Sequence, residues 1–158
     1  MKPEQIFKYV LLGTGIVAVY KLGTKIGIFQ TMDEAQQAQQ LQTTLTSNYW
    51  LPNFWKDYLN RYKKVMTLTP AAKQKLTDEL WDAHGYFNDD ENAIYGVFRQ
   101  MNYQTSLSSL ADYFLQTKKV DLLNWLQDFL NEDELKNISN IIAKYKVGYS
   151  TDGGKTYK

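Results

Sequence analysis

The residues in this chain best suited to catalysis lie close together: Glu79, Asp82, His84 and the acidic run Asp89-Asp90-Glu91. Carboxylates grouped around one turn can share out the general-acid and general-base roles of a hydrolysis, and cleavage of cell-wall glycan would be of that kind. Two conditions would have to hold. Two of the acids must face one cleft, and none may already be engaged in an ordinary structural role. The spacing forces no pair onto a common face. His84 beside Gly85 has the position of a charged or solvated ring at a helix C-terminus, and the three acids have the position of charges at a helix start. The expectation is therefore no catalytic residue, with a carboxylate-dependent cell-wall hydrolase kept as the alternative that chemistry would permit.

Composition removes other classes. The chain holds no cysteine and a single histidine. A disulfide framework, a zinc–thiolate site, a thiol nucleophile and a histidine-rich metal site are all disfavoured, and no metal or cofactor is expected. A net charge of +1 gives no electrostatic case for nucleic acid. At 44% hydrophobic and 15% aromatic residues, the 158-residue chain can bury a core.

The elements that would position any site begin with residues 1–30. Tyr9 to Tyr20 reads YVLLGTGIVAVY, twelve residues without a charge. Extended to Phe29 the segment would span about 31 Å as a helix, close to a bilayer's apolar thickness of about 30 Å. Leu11, Leu12, Ile16 and Val17 supply its apolar body. Phe7, Lys8, Tyr9, Tyr20, Lys21, Lys25 and Phe29 have the types found at membrane interfaces, where lysine stems reach the headgroups. Gly23 and Gly27 have the GxxxG spacing that lets two helix backbones approach, so a homo-oligomer through them is one expectation. A core helix and a signal sequence are the competing readings. The strict apolar run is short for a span, but no small-x-small cleavage site follows Val19. We expect a single-pass membrane anchor.

Residues 31–48 change character. Thr31-Met-Asp-Glu34 has the capping-box pattern, and AQQAQQLQ is helix-forming but polar, so a helical connector is expected up to TTLTSN. Residues 49–146 carry apolar positions at helical spacing. Trp50, Phe54, Tyr58 and Tyr62 are four apart, a stripe that reads as core ahead of a membrane-interface belt. Thr69-Pro70, Asn88 to Glu91, Ser106, Asp121 and Asn131 each start a further helix, giving a compact all-α bundle of about six short helices. Residues 147–158 hold Asp152-Gly153-Gly154 between short polar–aromatic arms, the pattern of a β-hairpin that packs on the bundle or adds to a partner's strand. Trp50, Trp55, Tyr149 and Tyr157 are the candidate interaction surface.

From Leu68 to Ala143, about half the chain, the helix order and local wording resemble a single annexin-type repeat. Asp90-Glu91-Asn92-Ala93-Ile94 takes the acid-acid-x-x-Ile place, Tyr113 the aromatic place, and Asp121-Leu-Leu-Asn-Trp-Leu126 the fifth-helix opening. These are packing motifs, so the resemblance implies a fold more than an activity. The family's calcium-dependent phospholipid binding is not implied here. Tyr86-Phe87-Asn88 stands where Gly-x-Gly should, and Phe129 where the distant carboxylate is expected, with Asp128 one place earlier. "AIYGVFRQ" and "DLLNWLQDFL" are similar to segments in proteins of Bacteroidetes and their phages. That resemblance implies a packing or assembly module. Likewise, Ser150 to Tyr157 resembles an Asp-box, a folding motif, with Tyr157 in place of tryptophan.

Together these readings give a non-enzymatic, membrane-anchored structural protein. Its expected partners are a lipid bilayer and capsid or envelope proteins, and its place is a virion membrane if it is phage-encoded. A calcium-independent lipid-surface module is the other reading.

Overall fold

The computed structural model describes residues 32–85 and 90–158. The candidate anchor residues Phe7, Lys8, Tyr9, Leu11, Leu12, Ile16, Val17, Tyr20, Lys21, Lys25 and Phe29, and the candidate helix-contact residues Gly23 and Gly27, lie outside the described residues. Among those described, no helix is long and apolar enough to cross a membrane. The chain divides between Thr46 and Ser47 into two units.

In the first unit, α1 (Met32–Leu45) is the connector helix. It runs three residues past the glutamine tract, through Thr43-Thr44-Leu45, which the sequence reading took as a break. The threonines tolerate the helix because their hydroxyls fold back on the preceding turn: Thr43 Oγ1 donates to Gln39 O at 2.8 Å and Thr46 Oγ1 to Gln42 O at 2.9 Å.

The second unit is all-α among its described residues. It opens on a 3₁₀ turn (Asn48–Trp50) and holds α2 (Phe54–Tyr62), α3 (Pro70–Ala83), α4 (Glu91–Arg99), α5 (Gln104–Lys118), α6 (Leu122–Phe129) and α7 (Glu132–Ile142). The expected helix from Tyr49 to Tyr62 is broken because Pro52 restricts the residue before it: Leu51 is extended, φ −73° and ψ 134°. The other starts follow local chemistry. Thr69 Oγ1 accepts from Ala72 N with Pro70 in the first turn, Asp90 from Ala93 N, and Asp121 from Asn124 N. Asn131 and Glu134 form a reciprocal capping box.

Helix α5 is central. It packs on α2, α3, α6 and the 3₁₀ turn, while α3 also meets α4, and α4 meets α7. Leu80, Ile94, Val97, Phe98, Leu107, Leu110, Phe114, Leu122, Leu126, Ile138 and Ile142 form the sealed core. The other face of α5 is polar but buried. Thr105 Oγ1 donates to Met66 O at 2.6 Å, Ser108 Oγ to Leu51 O at 2.6 Å, and Ser109 Oγ accepts from Leu68 N at 3.3 Å. These hydroxyls satisfy the backbone of the segments flanking α2, whose groups no helix or sheet pairs.

The tail corrects one expectation. No β-hairpin forms among the described residues; only isolated bridges occur, Val65 with Tyr149 and Tyr103 with Lys146. The reason lies in the Asp152 carboxylate, which accepts from Lys155 N at 3.0 Å, Thr156 N at 2.9 Å and the Ser150 hydroxyl at 2.6 Å. Amides that a two-stranded ladder would need are drawn into the turn instead. Gly153 and Gly154 hold φ of +77° and +96° there. The tail is then fixed to the domain: Ser150 N donates to Lys64 O at 3.0 Å and Met66 N to Gly148 O at 2.7 Å.

Candidate functional site

Among the described residues, two of the candidate carboxylates have ordinary structural partners. Glu79 lies 3.4 Å from Lys75 Nζ and accepts from Gln100 Nε2 at 3.1 Å. Asp90 is spent on capping α4. Asp82 and His84 are exposed, and Asp89 lies outside the described residues. The His84 ring rests on Phe129 at 4.4 Å and near Trp125 at 5.5 Å between centroids. Aromatic packing thus engages both His84 and Phe129. Asp128 is exposed, and Tyr86-Phe87-Asn88 lies outside the described residues. No cluster of metal-ligating side chains occurs among the described residues.

The four residues proposed as an interaction surface separate. Trp50 is core, at 3% exposure and edge-on to Phe98 at 6.0 Å. This corrects its assignment to the interaction surface and agrees with the reading of its stripe as core, although the 3₁₀ turn and not α2 carries it. Trp55 is half-buried. Its backbone N–H donates to Ser108 Oγ at 3.2 Å and its Nε1 to Asp112 at 3.4 Å, and Lys56 and Lys73 lie about its ring at 5.5 and 5.4 Å. Tyr149 continues an aromatic ladder, Phe54 to Tyr58 at 4.9 Å, Tyr58 to Tyr62 at 5.8 Å and Tyr62 to Tyr149 at 4.1 Å. Tyr157 is half-buried against Tyr103 at 6.0 Å. The structure therefore brings Tyr149 and Tyr157 onto one tail and leaves Trp55 as the joint between α2 and α5.

Sequence reasoning missed the acid at that joint. Asp112 is buried, 2.9 Å from Lys56 Nζ, and accepts from Gln116 Nε2 at 2.9 Å. Burial alone would raise its pKa. The hydrogen bonds from Lys56 and Gln116, with the Lys56 charge, outweigh that and hold the carboxyl below the usual range. The available signal was an aspartate between the apolar Leu110-Ala111 and Phe114 of α5. Trp81 is 41% exposed, stacked on Trp125 at 5.7 Å with Lys118 Nζ 4.8 Å from its ring centre.

No family model, no curated protein and no solved structure matches the chain.

Proposed function

We propose that this is a non-enzymatic assembly protein, held to a membrane by residues 1–30 and working through the helical domain of residues 49–146 and its tail. The observation that carries the reading is the uncharged run from Tyr9 to Tyr20, flanked by lysines and aromatic residues. The non-enzymatic part is supported by the described acids. Glu79, Asp90, Asp112 and Asp121 each have a capping or pairing role. We further read Leu68 to Ala143 as one annexin-type repeat without calcium chemistry. Its likeness to phage and Bacteroidetes segments favours a shell or envelope protein as partner, in a virion membrane where the chain is phage-encoded.

The test is fractionation of cells expressing the full chain. The protein should stay with membranes through an alkaline carbonate wash and leave them in detergent, and removing residues 1–30 should send it to the soluble fraction. Release of the full chain by carbonate would overturn the anchor. A cleared zone on cell-wall material that Glu79→Gln abolishes would overturn the non-enzymatic reading.

A further inference from the structure

The near-zero net charge conceals a division. Residues 49–69 and 143–158 hold eight lysines and arginines against two acids, Asp57 and Asp152. Residues 70–142 hold six against twelve. The two basic segments are distant in sequence, and the fold brings them together: Val65 bridges Tyr149, Lys64 O accepts from Ser150 N, and Tyr62 stacks on Tyr149. Lys63, Lys64, Lys146, Lys155 and Lys158 are all exposed on or beside this junction. The Lys64 stem runs past Gly154, and Lys158 Nζ lies 6.0 Å from the Tyr149 ring centre.

The two sides also differ in how their charges are answered. Among the described residues, three of the six cations of residues 70–142 have acid partners, Lys75 with Glu79, Lys118 with Asp78, and Lys136 with Glu132 and Asp133, and of the eight in the basic segments Lys56 alone pairs, with Asp112. The five lysines of the junction pair with no acid among the described residues. The Asp152 oxygens beside them are turned to the tail's own amides and hydroxyls. Here, then, is a surface of unanswered cations set among half-buried tyrosines. Each lysine gains when it approaches an anionic bilayer, and tyrosine is at home at the headgroup level.

We propose that this junction is a calcium-free docking face for anionic lipid headgroups. The inference rests on the membrane reading for its choice of partner, since a chain tethered to a bilayer meets that surface at high effective concentration. It uses the elements flanking the acidic helices, not the loop where the annexin-type repeat would hold calcium.

The full chain is mixed with phosphatidylcholine vesicles, with or without about a third phosphatidylglycerol, and accessible amines are acetylated and read by mass spectrometry. In anionic vesicles Lys63, Lys64, Lys155 and Lys158 should be modified at least about threefold more slowly, and 0.5 M salt should remove the protection. Lys75 and Lys136 should be unaffected, and replacing these four junction lysines by glutamine should abolish the protection that the fifth, Lys146, shares with them. Equal labelling in both vesicle types overturns the proposal. Protection that follows protein concentration rather than lipid charge overturns it too, assigning the face to a second copy. Failure of the anchor looks different: the chain would then leave neutral vesicles entirely, yet bind anionic ones until salt is added.

Discussion

Asp112 and Thr77 are two buried polar residues with opposite consequences. Asp112 holds α2 to α5 through Lys56, Gln116 and the Trp55 indole. Its folded pKa is depressed, so its contribution is fully present above the usual carboxylate range. It is lost as pH falls through the folded pKa, because the unfolded chain takes up the proton first. Asp112→Asn should cost about 1 kcal/mol at neutral pH, a modest figure because the Lys56 side chain is 42% exposed. The variant should also flatten the decline in stability below about pH 4 in urea titrations. A variant as acid-sensitive as the parent would remove Asp112 from that role. Thr77 is the reverse case: it is 1% exposed and its hydroxyl has no hydrogen-bond partner among the described residues. Thr77→Val keeps the shape and removes the unmet group, so it should stabilise the domain by about 1 kcal/mol. Destabilisation would mean that the hydroxyl is satisfied.

At the scale of elements, the tail is the joint most sensitive to a single atom. Gly148 has φ +102°, and a Cβ there would overlap Thr105 Oγ1 and crowd Tyr103. Thr105 sits at the start of α5 and its amide donates to Val147 O at 3.1 Å, so neither side can give way cheaply. Gly148→Ala should therefore cost about 2 kcal/mol or more and free the tail to limited proteolysis. Unchanged protection would show that the junction is loose. The same joint marks where the sequence was legible and where it was not. The starts of α3, α4, α6 and α7 were readable because each cap is made within three residues by Thr69, Asp90, Asp121 or Asn131. The start of α5 at Gln104, before the expected Ser106, is supported by Lys146 O accepting from Gln104 N at 2.8 Å from a segment distant in sequence, which no local pattern encodes. The Asp152 turn was visible in its glycines. Its partner strand segment at Val65 was not, and an expected hairpin became a turn clasped to the domain. Trp50 was legible as core but not in its element: helical spacing set it on one helix with Phe54, while Pro52 had already ended that register.

Over the whole molecule, an apolar opening sequence precedes a folded domain in which Glu79, Asp90, Asp112 and Asp121 cap or pair, while the five junction lysines pair with no acid among the described residues. Of the candidate site, the capping roles of Asp90 and Asp121 were legible in their positions at helix starts. The charge division was not, because the basic segments unite only when residue 149 meets residue 65. The central claim is that residues 1–30 bind the chain to lipid irrespective of headgroup charge. It is tested most directly by flotation with neutral phosphatidylcholine vesicles in 0.5 M salt, where the basic face is screened. The full chain should rise with the vesicles and a chain lacking residues 1–30 should stay at the bottom of the gradient. A full chain that stays at the bottom, folded and monodisperse, would contradict the account.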